Sequence, residues 1–188
     1  MFYINPTKYR GRPLTKEMRL AEEMASYDLL DSLAIGFDRV DHDHADTIEA
    51  CHEVEKVLGW QVCKNLFLCN RQKTQFYLLM LEGDKVFKTK DLSKQLGVSR
   101  LSFATGEDME HMLGCRPGSA TVLGLMNDKE NAVQLVMDKP IYDAPFVSCH
   151  PCTSTSTLTI SRQDLLEKLL PAIGHTPIVV DLPDPEEE

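Results

Sequence analysis

The most strand-like part of the chain is residues 63–70, which read CKNLFLCN. Phe and Leu dominate this run, and the polar residues 70–73 that follow are typical of a turn closing a short β-strand. A second apolar run, residues 76–81, begins at hairpin distance and stops at the Glu-Gly-Asp of residues 82–84. The pattern predicts a β-hairpin that carries Lys64 inside its first strand.

Lys64 has two interpretations. Lysine is rarely buried in a strand unless it is paired or unless a site uses its charge. On an edge strand, however, a lysine can simply discourage aggregation between sheets. Residue type alone favours the edge-strand interpretation, so a functional role for Lys64 depends on what else the sequence contains.

The rest of the chain intersperses helices and strands. The segment from Thr15 to Gly36 predicts one long helix or two short ones. The other predicted helices are 47–58, 91–96, 107–113 and 162–170. The other predicted strands are 37–40, 122–125, 132–137, 146–149, 157–160 and 178–182. This mixture predicts a single α/β (α+β) domain with a mixed, mostly antiparallel sheet.

Composition narrows the class of protein. A length of 188 residues favours one domain, and 43% hydrophobic with 26% charged residues is close to a globular average. The first residues lack the apolar core of a signal peptide, and no apolar run approaches membrane-spanning length. The six cysteines are therefore expected to be reduced thiols in the cytoplasm.

The net charge of −9 argues against broad electrostatic coating of nucleic acid. A local basic patch could still grip one end of an RNA. Its candidate members are Lys85, Lys88, Lys90, Lys94 and Arg100. Because Glu82, Asp84 and Asp91 are interleaved with them, a solvated surface of mixed charge is the alternative.

Further motifs follow the lysine strand in a fixed order. They are Ser102-Phe103-Ala104, Gly114 with Pro117-Gly118-Ser119, Gly124-Leu125-Met126-Asn127-Asp128, Val136-Met137-Asp138-Lys139, His150-Pro151-Cys152 and Thr157-Leu158-Thr159-Ile160-Ser161. With the Lys64 strand, their order and spacing resemble the YbaK/ProRS-associated editing-domain family, closest to its free-standing prolyl-tRNA editing branch (PrdX/ProXp-ala). The resemblance implies an editing domain over residues 26–182, with a mixed, mostly antiparallel sheet surrounded by helices. Residues 1–25 would then be an N-terminal arm and the start of the first helix, and residues 183–188 an acidic tail.

The resemblance also implies an activity. It implies a cytoplasmic trans-editing aminoacyl-tRNA deacylase without a cofactor, which hydrolyses Ala-tRNA(Pro) with a terminal ribose hydroxyl helping to activate the water. The implied partner is the acceptor end of aminoacyl-tRNA, with prolyl-tRNA synthetase or an elongation factor as further candidates and no membrane or DNA. The alternatives are a Cys-tRNA(Pro) or Ser-tRNA deacylase of the same family, and a non-catalytic RNA- or synthetase-binding module.

The resemblance assigns the site residues. The catalytic candidates are Lys64 and Asn65, and the candidates around the aminoacyl group are Gly118, Ser119, Ala120, Val122 and His150. Val122 stands where the family has the proline of a G-x-x-x-P loop, and Ser154 stands where relatives often have asparagine. In a regular strand, neighbouring side chains point to opposite faces. Lys64 and Asn65 can therefore line one pocket only at a bulge or a strand end.

Two other chemistries are open to the residues. His42-x-His44 and Cys149-His150-x-Cys152 contain metal-ligating types, but paired two-residue cysteine spacings are absent and zinc is not expected. Cys149 and His150 are adjacent, so they point apart and make a poor nucleophile–base dyad. An aminoacyl ester is already activated and needs only a placed water, a proton acceptor and donors for the oxyanion.

Overall fold

The computed structural model describes residues 2–45 and 47–184. Its strands are β1 (Tyr9–Arg10), β2 (Phe37–Asp41), β3 (Cys63–Cys69), β4 (Phe76–Glu82), β5 (Ser102–Phe103), β6 (Val133–Asp138), β7 (Phe146–Cys149), β8 (Ser156–Ser161) and β9 (Ile178–Val180). Its α-helices before residue 150 are α1 (Ala21–Ser32), α2 (Ile48–Leu58), α3 (Thr89–Leu96), α4 (Gly106–Leu113) and α5 (Lys139–Asp143). The C-terminal helix joins Arg162–Asp164, a π-helical stretch Leu165–Leu169 and Leu170–Ala172. No helix in the described ranges is long and apolar enough to cross a membrane.

The strands form two sheets. The first has the order β1-β2-β8-β7 and is antiparallel throughout. The second has the order β5-β3-β4-β6-β9, with antiparallel pairing on the β3 side and parallel pairing from β4 through β6 to β9. A parallel bridge between Val62 and Ser148 joins the beginning of β3 to β7. The predicted mixed, mostly antiparallel α+β class is confirmed, with two sheets in place of one.

The second sheet is buried on both faces. Along β4, Leu78 and Met80 belong to the main core, which also contains residues of the first sheet, whereas Leu79 and Leu81 belong to a second cluster that includes residues of α3 and β9. Burial of each of these leucine side chains contributes roughly 1.5–3 kcal/mol to the free energy of folding. Burial on both faces explains why β4 reads as a continuous apolar run rather than an alternating one.

Local signals located several element ends correctly. Thr47 accepts a hydrogen bond from the Ala50 amide and begins α2, and Gly59 ends it with a φ of 85°. Gly97 and Gly114 end α3 and α4 in the same left-handed conformation. Glycine carries no Cβ and adopts this conformation without strain, which is why it marks these ends.

Two element predictions were wrong. The predicted strand 122–125 is part of a buried 3-10 helix, Val122–Asn127, which begins where the Thr121 side chain accepts a hydrogen bond from the Leu123 amide. A short apolar run fits a buried strand and a buried helix equally well, so periodicity could not separate them. The first helix begins at Ala21 rather than after Thr15, because Met18 has a φ of 59° and interrupts the helical backbone.

Two other segments, the N-terminal arm and the residues after Asp138, also differ from expectation. The N-terminal arm is partly ordered, since β1 pairs with β2 and Ile4 forms a bridge with His42. The predicted loop after Asp138 is the short helix α5, which the Asp138 side chain caps. Residues 185–188 of the predicted acidic tail lie outside the described residues.

Candidate active site

A cavity of about 220 Å³ lies beside the bridge that joins the two sheets. Its walls come from α2 with Ala45 and Thr47 before it, from the start of β3, from the turn after β4, from α4, and from the loops before the 3-10 helix and after β7. The lining residues are Ala45, Thr47, Ile48, Cys51, His52, Glu55, Val62, Cys63, Lys64, Asn65, Gly83, Asp84, Met109, Gly118, Ala120 and His150. Most of this surface is apolar, with a few polar groups converging on it, as in small-molecule sites.

Lys64 and Asn65 both line the cavity because they stand at the beginning of β3. Strand β5 pairs with Leu68 and Cys69, at the far end of β3, so the edge beside Lys64 and Asn65 stays open to the cavity. The strand-end condition stated for these two neighbours is thus met without a bulge.

The polar atoms of these two side chains differ in how they are satisfied. Lys64 Nζ donates a hydrogen bond to the main-chain oxygen of Lys85 at 2.9 Å. Asn65 Nδ2 donates to the Cys63 carbonyl at 3.3 Å. The Oδ1 atom of Asn65 is buried and has no hydrogen-bond partner within residues 2–45 and 47–184. Such an acceptor can receive a donor from a ligand or a water.

His150 follows β7 and forms the opposite wall. Its Nδ1 lies 2.9 Å from the carbonyl oxygen of Ser156, which can only accept, so Nδ1 carries the proton. In the neutral ring the lone pair is then on Nε2. The Thr157 hydroxyl lies 3.4 Å from the same Nδ1 and 2.8 Å from Nε2 of the buried His42, so a second histidine supports this wall from behind.

The loop before the 3-10 helix contributes only part of its predicted contacts. Gly118, with a φ of 86°, and Ala120 line the cavity. The Ser119 hydroxyl instead bonds to the backbone of Arg116, and Val122 is fully buried in the main core. The structure therefore brings together Lys64, Asn65, Gly118, Ala120 and His150, and it places Ser119 and Val122 behind the wall.

Comparison with known sequences identifies the family of the domain that contains this cavity. A family model described as the aminoacyl-tRNA editing domain matches residues 42–168, which include both Lys64 and His150. The chain belongs to the aminoacyl-tRNA editing domain family. The resemblance seen in the motifs is thereby confirmed, and as a member of this family the protein is an aminoacyl-tRNA deacylase.

Individual relatives agree with the family. The prolyl-tRNA editing protein ProX of Acetoanaerobium sticklandii is 31% identical over 153 residues, which cover 81% of this chain and 93% of that protein. The prolyl-tRNA synthetase associated domain-containing protein 1 of Mus musculus is 33% identical over 156 residues, covering 81% and 91%. A solved structure described as a candidate trans-editing enzyme for prolyl-tRNA synthetase shares the fold, with a TM-score of 0.65, 17% identity and coverage of 88% and 98%.

Several lining residues of this editing domain were missed from the sequence. Ile48 and Cys51 are apolar positions of α2 with no sign of a role in the site, yet both line the cavity, and Ile48 is 49% exposed. Met109 of α4 gave no signal beyond its apolar character. His52 and Asp84 pair at the rim, with 3.0 Å between Nε2 and Oδ1, and this contact joins α2 to the turn after β4.

Two thiols near the editing cavity, those of Cys63 and Cys149, are poor nucleophiles. Burial raises the pKa of Cys63 to about 12 and raises that of Cys149 as well. Both groups therefore stay protonated at neutral pH, and only a thiolate attacks readily. Neither Cys63 nor Cys149 is therefore suited to form a covalent intermediate with the ester.

The candidate metal ligands are engaged in other contacts. His42 donates from Nδ1 to the Asp43 carbonyl at 2.7 Å, and His44 Nδ1 lies 2.7 Å from the Ser154 hydroxyl. Within the described ranges, no group of three or more His, Cys, Asp or Glu side chains is arranged to hold a metal ion. That the editing domain works without zinc stays a prediction.

The predicted basic patch loses one member. Lys85 is only 5% exposed, and its Nζ lies 2.8 Å from Oδ2 of the fully buried Asp138. It cannot contact RNA from this position, because a buried lysine that is paired is held by its partner. Lys88, Lys90, Lys94 and Arg100 are exposed, as predicted.

Proposed function

We propose that the protein is a trans-editing hydrolase that cleaves the ester of alanine wrongly attached to tRNA(Pro), releasing free alanine and intact tRNA. The observation that carries this proposal is the single cavity that Lys64, Asn65 and His150 all line. An ammonium, an amide and an imidazole meet apolar walls there. That combination suits hydrolysis of a small apolar aminoacyl ester.

The size of the cavity supports a small side chain. About 220 Å³ lies below the roughly 300–1,000 Å³ of pockets for drug-sized ligands. A rigid pocket excludes a larger side chain by overlap, whereas one missing methylene changes binding by only about 1–3 kcal/mol. Proline has the larger side chain, so a pocket that admits alanine and excludes proline spares correctly charged tRNA.

Asn65 is proposed to place the attacking water. Its orphan Oδ1 is a buried acceptor, and leaving such a group unpaired costs about 1–3 kcal/mol. A water that donates one hydrogen to Oδ1 removes this cost and has its oxygen fixed beside the ester carbon. A ribose hydroxyl of the terminal nucleotide, as the family resemblance implies, then takes the other proton while it passes its own proton to the neighbouring ribose oxygen that leaves the ester.

Lys64 is proposed to stabilise negative charge at the tRNA end. A lysine ammonium is a compact cation with three donors, and its bond to the Lys85 carbonyl uses one of them. The remaining donors can reach a phosphate or the oxygen of the tetrahedral intermediate. Preorganised donors of this kind commonly supply the largest share of catalysis in acyl transfer.

The proposed partner is the acceptor end of aminoacyl-tRNA, in the cytoplasm. The exposed Lys88, Lys90, Lys94 and Arg100 can neutralise a few phosphates, while the net charge of −9 opposes a larger footprint. We therefore expect a shallow salt dependence of binding, with a log–log slope well short of about −6. Prolyl-tRNA synthetase and an elongation factor are the further candidate partners.

The test is deacylation of a panel of charged tRNAs by the purified protein. Ala-tRNA(Pro) should be hydrolysed fastest and Pro-tRNA(Pro) slowest, with the spontaneous rate of each ester as its control. Faster turnover of Cys-tRNA(Pro) or Ser-tRNA would assign a different substrate within the family. A folded protein that binds tRNA without turning over any ester would be a binding module, and the proposal would fail.

A further inference from the structure

A buried ion pair lies directly behind the residue that holds Lys64. Lys64 Nζ donates to the main-chain oxygen of Lys85, and the side chain of Lys85 turns inward to Asp138. The Lys85 and Asp138 side chains are 3% and 0% exposed. The two lysines thus share one peptide segment, with one bonded to its carbonyl and the other anchoring it from inside.

Asp138 joins this segment to two other parts of the chain. Its Oδ1 accepts from the amides of Lys139, at 3.1 Å, and Leu182, at 2.9 Å, while its Oδ2 accepts from Lys85 Nζ at 2.8 Å. The carboxylate therefore ties the turn after β4 to the end of β6 and to the segment after β9. Asp184 adds a second, exposed carboxylate 3.3 Å from Lys85 Nζ.

A buried pair of charges is an expensive way to hold a turn. Desolvation opposes both charges, and well-packed apolar side chains often serve stability equally well or better. Burial lowers the pKa of Lys85, but its bonds to Asp138 and Asp184 outweigh burial and raise the pKa overall, so the ammonium stays charged. A turn held this firmly gives its backbone carbonyl a fixed position, which packing of flexible side chains does not ensure.

Resting on the function proposed above, we propose that Lys85 and Asp138 are positioning residues for the reaction. They fix the Lys85 carbonyl, which aims the Lys64 ammonium along the open edge of β3 toward the tRNA end. Their side chains do not contact the substrate themselves. Loss of the pair therefore lowers kcat more than it changes KM, because a misdirected ammonium still attracts RNA but stabilises the transition state less.

The test uses a charge-balanced double variant, Lys85→Met with Asp138→Asn. It removes both buried charges together, and the asparagine Oδ1 can still accept from the Lys139 and Leu182 amides. The matched control is Lys139→Met with Asp143→Asn, an exposed ion pair one residue further along the chain. A conservative variant, Lys85→Arg, keeps the charge and the bond to Asp138.

The first measurement is independent of catalysis. Each protein is treated with an amine-reactive reagent, and the labelling rate of every lysine is read from peptide mass spectra. In the unaltered protein Lys64 should react more slowly than the exposed Lys88, and equal rates would overturn the proposal without any variant. In the double variant Lys64 should react several-fold faster while Lys88 is unchanged, and the control and Lys85→Arg should match the unaltered protein.

The second measurement is deacylation of Ala-tRNA(Pro). The double variant should lose about tenfold in kcat with little change in KM, since small misplacements of a catalytic group cost up to about a hundredfold. Labelling or kcat unchanged in the folded double variant would overturn the positioning role, as would a loss shared equally by the control. If the unaltered protein hydrolyses no aminoacyl-tRNA, the proposed function fails, while the labelling rates still decide whether the pair holds Lys64.

Discussion

The polar groups on the two walls of the cavity differ in how far they are hydrogen-bonded within the protein. On the β7 side, His150 is 8% exposed, its Nδ1 is bonded to the Ser156 carbonyl, and Thr157 and His42 support it. On the β3 side, Asn65 keeps a buried oxygen without a hydrogen-bond partner in the described chain, and Lys64 is half-buried and bonded to a main-chain oxygen. On the β7 wall, Nδ1 of His150 is paired within the protein, whereas on the β3 wall Oδ1 of Asn65 is an acceptor that a ligand or a water can use.

This difference separates two roles. A wall whose polar groups are already paired gains nothing from changing position, so it sets the shape of the cavity. A wall with an unsatisfied acceptor and a half-buried cation is stabilised when substrate and water bind, because its polar groups then gain hydrogen bonds. We therefore expect substitutions on the β3 wall to affect rate, and substitutions on the β7 wall to affect selectivity or stability.

The largest effect is expected for Lys64→Ala. Removing a donor that stabilises developing negative charge costs about 10²–10³ in kcat. Because Lys64 is half-buried at a strand end, the melting temperature should stay close to that of the unaltered protein. Lys88→Ala, which removes an exposed lysine from the same region, is the control and should retain kcat. Near-normal turnover by a folded Lys64→Ala protein would remove the β3 wall from the mechanism.

Asn65→Ala should lower kcat somewhat less, by about a hundredfold, if its oxygen places the water. The same change deletes a buried acceptor that has no partner in the described structure. Its urea midpoint should therefore be unchanged or higher, since an unsatisfied group destabilises the free protein. A fall in stability together with activity would show that Asn65 serves the fold rather than the reaction.

His150→Ala should change selectivity by about tenfold. Enlarging the pocket at His150 relieves the overlap that excludes proline, so discrimination falls back to the weak effect of side-chain size, about 1–3 kcal/mol per methylene. Deacylation of Pro-tRNA(Pro) should rise relative to Ala-tRNA(Pro). His44→Ala, a nearby histidine bonded to Ser154 outside the cavity lining, is the control and should keep the original ratio.

The β7 wall should also be sensitive to acid. Burial lowers the pKa of His42 below its ordinary 6.5 and outweighs the Asp43 hydrogen bond and the nearby Asp41 and Asp43 charges, which raise it. The unfolded chain then binds a proton more readily than the folded protein does. Stability is fully present above pH 6.5 and declines as the pH falls below it.

Urea midpoints at pH 7.5 and 5.5 test this effect. We expect the difference between the two to shrink in His42→Gln and to persist in His111→Gln, which removes an exposed histidine. An unchanged difference in His42→Gln would mean that other groups cause the acid sensitivity.

The smallest effect is expected for Val122→Pro. Val122 is the first residue of the 3-10 helix, where proline is tolerated, and it lies in the core behind the cavity wall. The ratio of Ala- to Pro-tRNA(Pro) deacylation should therefore change by less than about twofold. Ala120→Val narrows the cavity itself and should slow Ala-tRNA(Pro) hydrolysis more strongly. A sharpened preference in Val122→Pro would show that this position shapes the site through the backbone.

The sequence predicted what local chemistry determines. The hairpin of β3 and β4 follows from two apolar runs and a polar turn, and α2 follows from Thr47 and Gly59. The segment Val122–Asn127 could not be assigned, because its apolar residues fit a buried strand and a buried helix alike.

The convergence of the site had no local signal. Lys64 and His150 line one cavity because Val62 pairs with Ser148, a contact between distant parts of the chain. Only the family resemblance named both residues in advance. It also named Ser119 and Val122, which the structure places behind the wall. A sequence motif includes residues that lie next to a site as well as residues that line it.

The order of strand pairing in the chain has a consequence for how the protein folds during synthesis. Strands β3 and β4 are adjacent in sequence, so their pairing closes a short loop. In the first sheet, β2 pairs Phe37 with Ile160, so this contact closes a loop that runs from residue 37 to residue 160. Because long loops are slow to close, the hairpin with Lys64 is expected to form first, and β2 waits for β8 to leave the ribosome. A nascent chain would thus hold the strand with Lys64 well before it has a cavity, and hydrolytic competence would begin only after β8 has been synthesised.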